Sequence, residues 1–528
     1  MRSSRVVAVA TGSALVLGAV YLALPRLGSD LAAQVARADF FAAHGASPVD
    51  LRWYGGVQQF GYSLVSQPVM ALLGVRVTGA LALVASAAAL AALLTHSAVP
   101  RPLSGSLVGV GTLAGNLVSG RVTYALGVAF GLAALLALSR GVPQGRRLGL
   151  AAVAALLASA TSPVAGLFVG LAGVALLLSR RYADGLALGV AAAVPLAATA
   201  VLFGDGGWMN ISRTDTVRAV VTSLVVAALV AYRPVRFGAL LAAAGVLVAA
   251  GVHTPVGLNA TRLATMFALP VLAAAARPPA WLSTRLARRR AVKPVPARLL
   301  GGVGLAVLLA AVCVWQPPVV PADLRSIGDP TSAPDYYAPL RAFLGEQRLT
   351  GRVEVPPTRN YWEAARLGEV PLARGWLRQA DIDRNPLFFT TVPGATGTGV
   401  PLTPASYRAW LAENAVQYVA VPDAPLSWVG RAEAELVEGG LPYLTPVWSG
   451  PHWKVWAVVD PTPLVAAPAE LVRADGATVA FYAPTAGPVT VRVRHSRWLT
   501  ASSGATVAAD GNWTVVTVPH PGEYTLGS

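Results

Sequence analysis

The sequence predicts a polytopic α-helical membrane protein of about eleven spans, followed by a polar C-terminal region of α/β and β-sandwich character. Three observations carry this. Of 528 residues, 55% are hydrophobic and 12% charged, whereas a soluble domain carries about 25% charge; a water-soluble enzyme throughout is excluded. The acids are segregated: Asp30, Asp39, Asp50, Asp184, Asp205 and Asp215 are the only ones before residue 320, and the first glutamate is Glu346. Most of the aromatic residues lie with the remaining acids in the C-terminal part.

Apolar runs fall near 5–24, 77–97, 103–118, 122–139, 148–160, 163–179, 184–203, 217–232, 237–252, 262–276 and 299–315. Several are shorter than the roughly 20 residues that cross a hydrocarbon core as a helix, and these are rich in Gly and Ala. The first run has no convincing small-residue cleavage site after it, and Pro25-Arg26-Leu27 argues for a retained helix over a signal peptide.

The net charge of +16 reflects arginines flanking the spans better than it reflects nucleic-acid binding. With the N-terminus inside, the cytoplasmic segments hold Arg2, Arg5, Arg101, Arg140, Arg146, Arg147, Arg180, Arg181, Arg233, Arg236, Arg277, Arg285, Arg288, Arg289, Arg290, Lys293 and Arg298. The external segments hold Arg26, Arg37, Arg52, Arg76, Arg121, Arg213, Arg218 and Arg262. This asymmetry predicts a plasma-membrane protein with a cytoplasmic N-terminus, and an odd number of spans puts the C-terminal region on the extracytoplasmic side. Asp30, Asp39, Asp50, Asp205 and Asp215 then all lie outside, so any general base in the membrane half is expected there.

Residues 25–76 form the longest external segment before the C-terminal region, and loops of this length are commonly functional. Leu31, Val35, Ala38 and Phe41 recur at a helical period from Asp30 to His44, and Ser47-Pro48 is expected to break that helix. Arg52-Trp53-Tyr54-Gly55-Gly56 reads as an aromatic turn, and 60–75 as a second short helix. Asp30 reads equally as an N-cap or as a functional carboxylate. Asp50 is the second candidate, Asp39 reads as part of a solvated face, and His44 reads as a helix C-cap.

Pro317-Pro318 ends the last run. Beyond it, Ala338–Gln347 and Ser406–Asn414 read as helices, and Val353–Val355, Tyr418–Val421 and Lys454–Val458 as strands of an α/β unit. Period-two runs at Thr478–Phe481, Val489–Val493, Trp513–Val518 and Glu523–Leu526 predict a small β-sandwich. The expected domains are therefore 1–318 with its external loop 25–76, then 319–465, then 466–528. Tyr361, Trp362 and Trp376, with Trp53 and Tyr54, are candidates for stacking on a sugar ring, although an ordinary aromatic core would give the same letters. Cys313 is the single cysteine, His452 and His495 lack a metal spacing, and no metal site is predicted. Gly394–Gly399 is a turn and not a phosphate loop, since no Lys-Ser/Thr follows it.

The loop resembles that of the GT-C superfamily of membrane glycosyltransferases, and most closely the bacterial branch catalogued as pyruvoyl-tetrahydropterin-synthase-related membrane proteins. The likeness rests on Asp30 soon after the first span, Trp53-Tyr54-Gly55-Gly56, Gly61-Tyr62-Ser63 and Pro68. Ser119-Gly120-Arg121 with Tyr124 and Gly127, Thr161-Ser162-Pro163, and Arg262 followed by Pro270 look similar too. It covers the membrane half of the chain, and Gln34 stands where the family pattern often has a histidine. The resemblance implies a GT-C-like fold and a polyprenyl-phosphate-linked sugar as donor. An envelope glycan or glycolipid would be the acceptor, and a divalent cation (Mg or Mn) takes part in some members. It assigns the general-base role to Asp30, with Asp50 second. Arg121 and Arg262, and more weakly Arg213, suit the donor phosphate because a guanidinium pairs bidentately with its oxygens; snorkelling to lipid headgroups would place arginines similarly. Two other functions fit the same composition: a transporter or lipid-linked-glycan flippase, disfavoured by the lack of a visible repeat and of mid-span charge, and a non-catalytic envelope-assembly scaffold of the same fold.

Overall fold

The structure, a computed structural model, describes residues 3–139, 141, 143–204, 206–277, 297–395 and 399–528, with backbone only for 297–301. Arg2, Arg140, Asp205, the basic cluster from Arg285 to Lys293, the side chain of Arg298 and residues 396–398 of the Gly394–Gly399 turn lie outside the described residues. The chain divides into two compact units. One comprises Met1–Gly28, Ser63–Val201 and Met209–Ile327, and the other Ser29–Tyr62, Leu202–Trp208 and Gly328–Ser528. Residues 29–62 of the external loop are built into the polar unit and do not form a separate appendage of the helical one.

Every predicted apolar run folds as a helix. They span Ser3–Ala23, Val75–His96, Pro102–Val118, Val122–Leu138, Gln144–Thr161, Pro163–Leu178, Tyr182–Phe203, Arg213–Leu229, Arg233–Gly251, Arg262–Ala275 and Ala297–Trp315. Five reach membrane-crossing length and hydropathy, the Arg262 helix doing so together with the 3-10 turn that precedes it at Gly257–Thr261. Gln144–Thr161 and Arg213–Leu229 instead begin with charged turns.

Within the helical unit, Val16, Val190, Val194 and Leu247 lie exposed on helix surfaces, as lipid-facing side chains do. The inner faces carry small residues. A Cβ at Gly105 would meet Ala274 Cβ at 2.5 Å, and one at Gly173 would meet the Gly185 carbonyl at 2.9 Å. Lipid offers no hydrophobic drive for association, so close backbone approach of this kind supplies it. Several charges are paired or spent on main chain. Asp184 sits between Arg147 (2.9 Å) and Arg181 (2.7 Å). Arg101 donates to the Ala273 and Ala276 carbonyls at 2.9 and 2.6 Å, satisfying acceptors that a helix C-terminus leaves open.

The polar unit contains a short hairpin, β1 (Val49–Asp50) with β2 (Val57–Gln58). A mixed sheet follows, ordered β3-β4-β6-β5, from β3 (Arg352–Glu354), β4 (Val416–Pro422), β5 (Leu444–Gly450) and β6 (Trp453–Val458). β3 runs parallel to β4, and the other pairs are antiparallel. The predicted helices and strands of this region are present, with additions that include β5 and helices at Glu363–Arg366, Arg378–Arg384 and Trp428–Glu438. β5 carries Pro446 and sits at the sheet edge, where a missing N–H is tolerated.

The sandwich packs β7 (Glu470–Ala474), β8 (Thr478–Ala483), β10 (Thr500–Ala501) and β13 (Gly522–Gly527) in one sheet. The other holds β9 (Gly487–Arg494), β11 (Thr506–Asp510) and β12 (Trp513–Val518). Their inward residues, among them Phe481, Val491, Val516 and Leu526, are fully buried.

One guanidinium organises the α/β core. Arg374 lies over Phe388 at 4.0 Å and pairs with Asp381 at 3.1 Å, Glu433 at 2.9 Å and Glu354 at 3.6 Å, all inaccessible to solvent. Tyr407 donates to Glu433 at 3.0 Å and Asn385 to Asp381 at 2.9 Å. Three carboxyls cannot all ionise against one cation. Burial, and for Glu354 also the adjacent Glu433, raises both glutamates, Glu433 to about 7 and Glu354 well above the usual carboxylate range. A group held above its unfolded value stabilises the fold fully below that unfolded value and loses the contribution as pH rises through the folded one. Urea unfolding of the full chain, followed by tryptophan fluorescence, should therefore show falling stability as pH is raised from 6 to 9. Arg374→Ala should cost about 3–5 kcal/mol, the scale for stranding a buried charge.

Candidate active site

The helix Leu31–His44 stops at Gly45, whose φ of +63° ends it before Ser47-Pro48. β1 and β2 then bracket the predicted aromatic turn, with Tyr54, Gly55 and Gly56 at φ of 55°, 74° and 126°. The main chain of the turn is taken up by distant residues of the same unit. Leu372 N–H donates to Arg52 O at 2.7 Å, Arg494 N–H to Gly55 O at 2.7 Å, and Arg384 Nη1 to Gly56 O at 2.8 Å. Val49 and Leu51 join the sandwich core.

Trp53 is fully buried and donates to Ala364 O at 3.2 Å, and Tyr54 donates its hydroxyl to Gly375 O at 2.5 Å. A Cβ at Gly375 would lie 2.5 Å from Trp53 Cγ, so the indole can seat only against glycine. Tyr361 and Trp362 are likewise core residues, Tyr361 sharing a hydrogen bond with Ser427 Oγ at 3.2 Å. The expectation that Trp53, Tyr54, Tyr361 and Trp362 face an acceptor is corrected: their ring faces are occupied by protein.

Asp50 has a structural duty. It is inaccessible and accepts from Arg52 Nε (2.9 Å), Arg52 Nη2 (2.7 Å), Arg52 N (3.0 Å) and Gln59 Nε2 (2.8 Å). These four contacts and its full burial give Asp50 a structural role, holding Arg52 and Gln59, and speak against the reading of Asp50 as a second base.

Asp30 differs. It occupies the N-cap position, yet its backbone is helical (φ −99°, ψ −7°) and its side chain makes no capping bond. A cap normally has an extended backbone that aims the carboxylate back at the helix N–H groups. The Asp30 carboxylate is instead half-buried, with Ser29 Oγ donating to it at 3.4 Å. Ser29 O accepts from the Trp376 indole N–H at 2.9 Å, so the half-buried Trp376 is fixed one residue from Asp30. Trp376 meets Tyr62 edge-on at 6.4 Å, and the Tyr62 hydroxyl accepts from Gln34 at 2.7 Å. Arg37 lies over Tyr62 at 4.3 Å and donates to Gln59 at 3.3 Å. Asp30, Gln34 and Trp376 thus share one polar-aromatic cluster, stiffened from below by Arg37, Gln59 and Asp50. Tyr62, Arg37 and Gln59 were not singled out by the sequence as site residues; the Gly61-Tyr62-Ser63 motif was the only local signal for any of them.

In the helical unit, Arg121 and Arg262 converge on Tyr124. The Arg262 guanidinium lies 5.1 Å from the ring centroid, and both arginines act electrostatically on the hydroxyl. That hydroxyl is buried and has no hydrogen-bond partner among the described residues. Tyr124 also lines an apolar cavity of about 450 Å³ between helices, with Gly127, Leu132, Phe168, Phe267 and Val271 among its walls. Tyr124 entered the sequence reading only as part of the Ser119-Gly120-Arg121 resemblance, with Gly127, and was not assigned a role in the site. Arg213 is apart from the pair: it is exposed at the first residue of its helix, beside the Ser212–Asp215 cap. A third element of order is Gly28, at φ +104°, where a Cβ would overlap the Ser119–Gly120 backbone at 2.5–2.7 Å, immediately before Arg121.

The resemblance allows for a divalent cation. Among the described residues no three His, Cys, Asp or Glu side chains are grouped to hold one.

Neither a family model nor a curated protein sequence matches the chain. Among solved structures, it is similar to ArnT from Cupriavidus metallidurans bound to undecaprenyl phosphate, at 15% identity and a TM-score of 0.46, over 86% of this chain and 98% of that one.

The two aspartates should separate on denaturation. Asp50→Ala strands Arg52 in the interior and should lower stability by about 3–5 kcal/mol, whereas the half-buried Asp30 makes no capping bond and Asp30→Asn, which keeps its size, should cost about 1 kcal/mol or less. Equal losses would mean that Asp30 is structural as well.

Proposed function

We propose that the chain is a GT-C-type membrane glycosyltransferase that moves a sugar from a polyprenyl-phosphate donor to an envelope glycan or glycolipid on the external face of the plasma membrane. The observation that carries this reading is the convergence of Arg121 and Arg262 on an unpartnered, buried tyrosine hydroxyl at an apolar cavity. Two guanidiniums and an O–H donor suit a phosphate, and the apolar walls suit the chain attached to it. Few other ligands join those two chemistries in one molecule.

The reaction needs an acceptor hydroxyl to lose its proton as it attacks the anomeric carbon, while the bond from that carbon to the phosphate oxygen breaks. Asp30 is the base in this reading, because its carboxylate is not committed to capping its helix, and Trp376 beside it supplies a ring face for the acceptor sugar. General-base assistance of this kind is worth roughly 10²–10⁴-fold. Arg121 and Arg262 take up the charge that grows on the departing phosphate, with Tyr124 as a further donor.

Asp30→Asn, expressed in cells lacking the native copy, should leave the envelope glycans of the deletion strain while the purified variant still binds a polyprenyl phosphate. Arg121→Gln and Arg262→Gln should each weaken that binding by about tenfold or more, the scale of one charged hydrogen bond. Parental glycans from the Asp30→Asn strain would remove it from the mechanism, and unchanged lipid binding by both arginine variants would remove the donor site.

A further inference from the structure

We infer that the β-sandwich carries a membrane-surface anchor, formed by the turn His495–Leu499 and the end of the Tyr182–Phe203 helix, that seats in the lipid headgroup layer. The inference is independent of the transferase reading and starts from the helix. Tyr182–Phe203 is long and apolar enough to cross a bilayer, and its apolar side chains Val190, Val194, Val201 and Leu202 are exposed along its length to its last turn. At that last turn three segments of the polar unit meet. The Trp498 indole N–H donates to Leu202 O at 3.0 Å, and its ring stacks on Phe203 with centroids 5.1 Å apart and planes 14° from parallel. Phe60 packs edge-on against Phe203 at 5.4 Å. Gly61 follows, where a Cβ would lie 2.3 Å from Phe203 O. Glycine is therefore needed there for the loop to reach the helix end.

This is the arrangement expected of an interfacial belt. A helix leaving hydrocarbon exposes carbonyls that need donors, and Trp is suited to that depth because one end of its ring is apolar and the other donates a hydrogen bond. The sandwich turn is shaped to present it. Ser496 points inward, accepting from Gln58 Nε2 at 2.8 Å and from Trp498 N at 3.3 Å, and Leu499 is buried. His495 and Arg497 are left exposed on either side of Ser496, with Trp498 only partly covered. Apolar rings stacked at the end of an apolar helix, at Leu202 and Phe203, and flanked by an exposed guanidinium fit phospholipid headgroups, whose phosphates Arg497 would meet. A protein partner would leave the exposed apolar face of the helix with no role in the contact.

Cys313 is the sole cysteine, so a Cys313→Ser background permits single-site spin labelling of the full chain. Labels at His495→Cys and, separately, Arg497→Cys should be placed in nanodiscs of phosphatidylcholine and phosphatidylglycerol and read by accessibility to oxygen and to a polar nickel chelate. Both are expected to report headgroup depth, and Trp498→Ala should move the His495 label towards water while Trp498→Phe does not. Nickel accessibility equal to that of a freely solvated nitroxide at both positions would overturn the inference. So would an interfacial depth that Trp498→Ala leaves unchanged.

Discussion

The structure depends on how the backbone of residues 51–56 is satisfied. Leu51 N–H goes to Gly476 O, Arg52 O accepts from Leu372, Gly55 O from Arg494 and Gly56 O from Arg384. A buried amide or carbonyl without a partner costs about 1–3 kcal/mol, so this external loop has no cheap alternative conformation once its aromatic side chains are buried. A residue at its start, Asp30, is consequently held by the whole polar unit rather than by a flexible connection.

That arrangement also explains a division of labour among similar residues. Trp53 and Tyr54 supply the buried mass that seats the turn, and Asp50, Arg52, Gln59 and Arg37 form a polar chain beneath the Leu31–His44 helix. Asp30, Tyr62 and Trp376, by contrast, are left half-buried. A site held in this way keeps its geometry without itself carrying the cost of the fold, which is what precise placement of a reacting group demands.

Much of the architecture was legible in the sequence because its signals are local. Apolar runs give helices within a few residues of the predicted limits, and period-two patterns give β8, β9, β12 and β13. The short or irregular strands β5, β7, β10 and β11 carry too few alternating positions, or a proline, to register. The membership of residues 29–62 was not legible, since the partners of the turn lie some 320 to 440 positions away at Leu372, Gly476 and Arg494 and no local pattern announces them. Nor could letters separate Trp376 from Trp53 and Trp362. All are tryptophans beside glycine or charged residues, and only burial distinguishes the half-buried ring from the two enclosed ones. The same holds for Asp30 and Asp50, whose difference is the backbone angle of one and the arginine fork on the other.

Amide hydrogen exchange of the full chain in lipid tests this account at its foundation. Peptides covering residues 49–58 are expected to exchange on the same slow timescale as those covering the central strand Val416–Pro422, with the two protecting and opening together. Exchange of 49–58 within seconds, while 416–422 stays protected, would contradict it, leaving Asp30 on a detached loop with no fixed position from which to act.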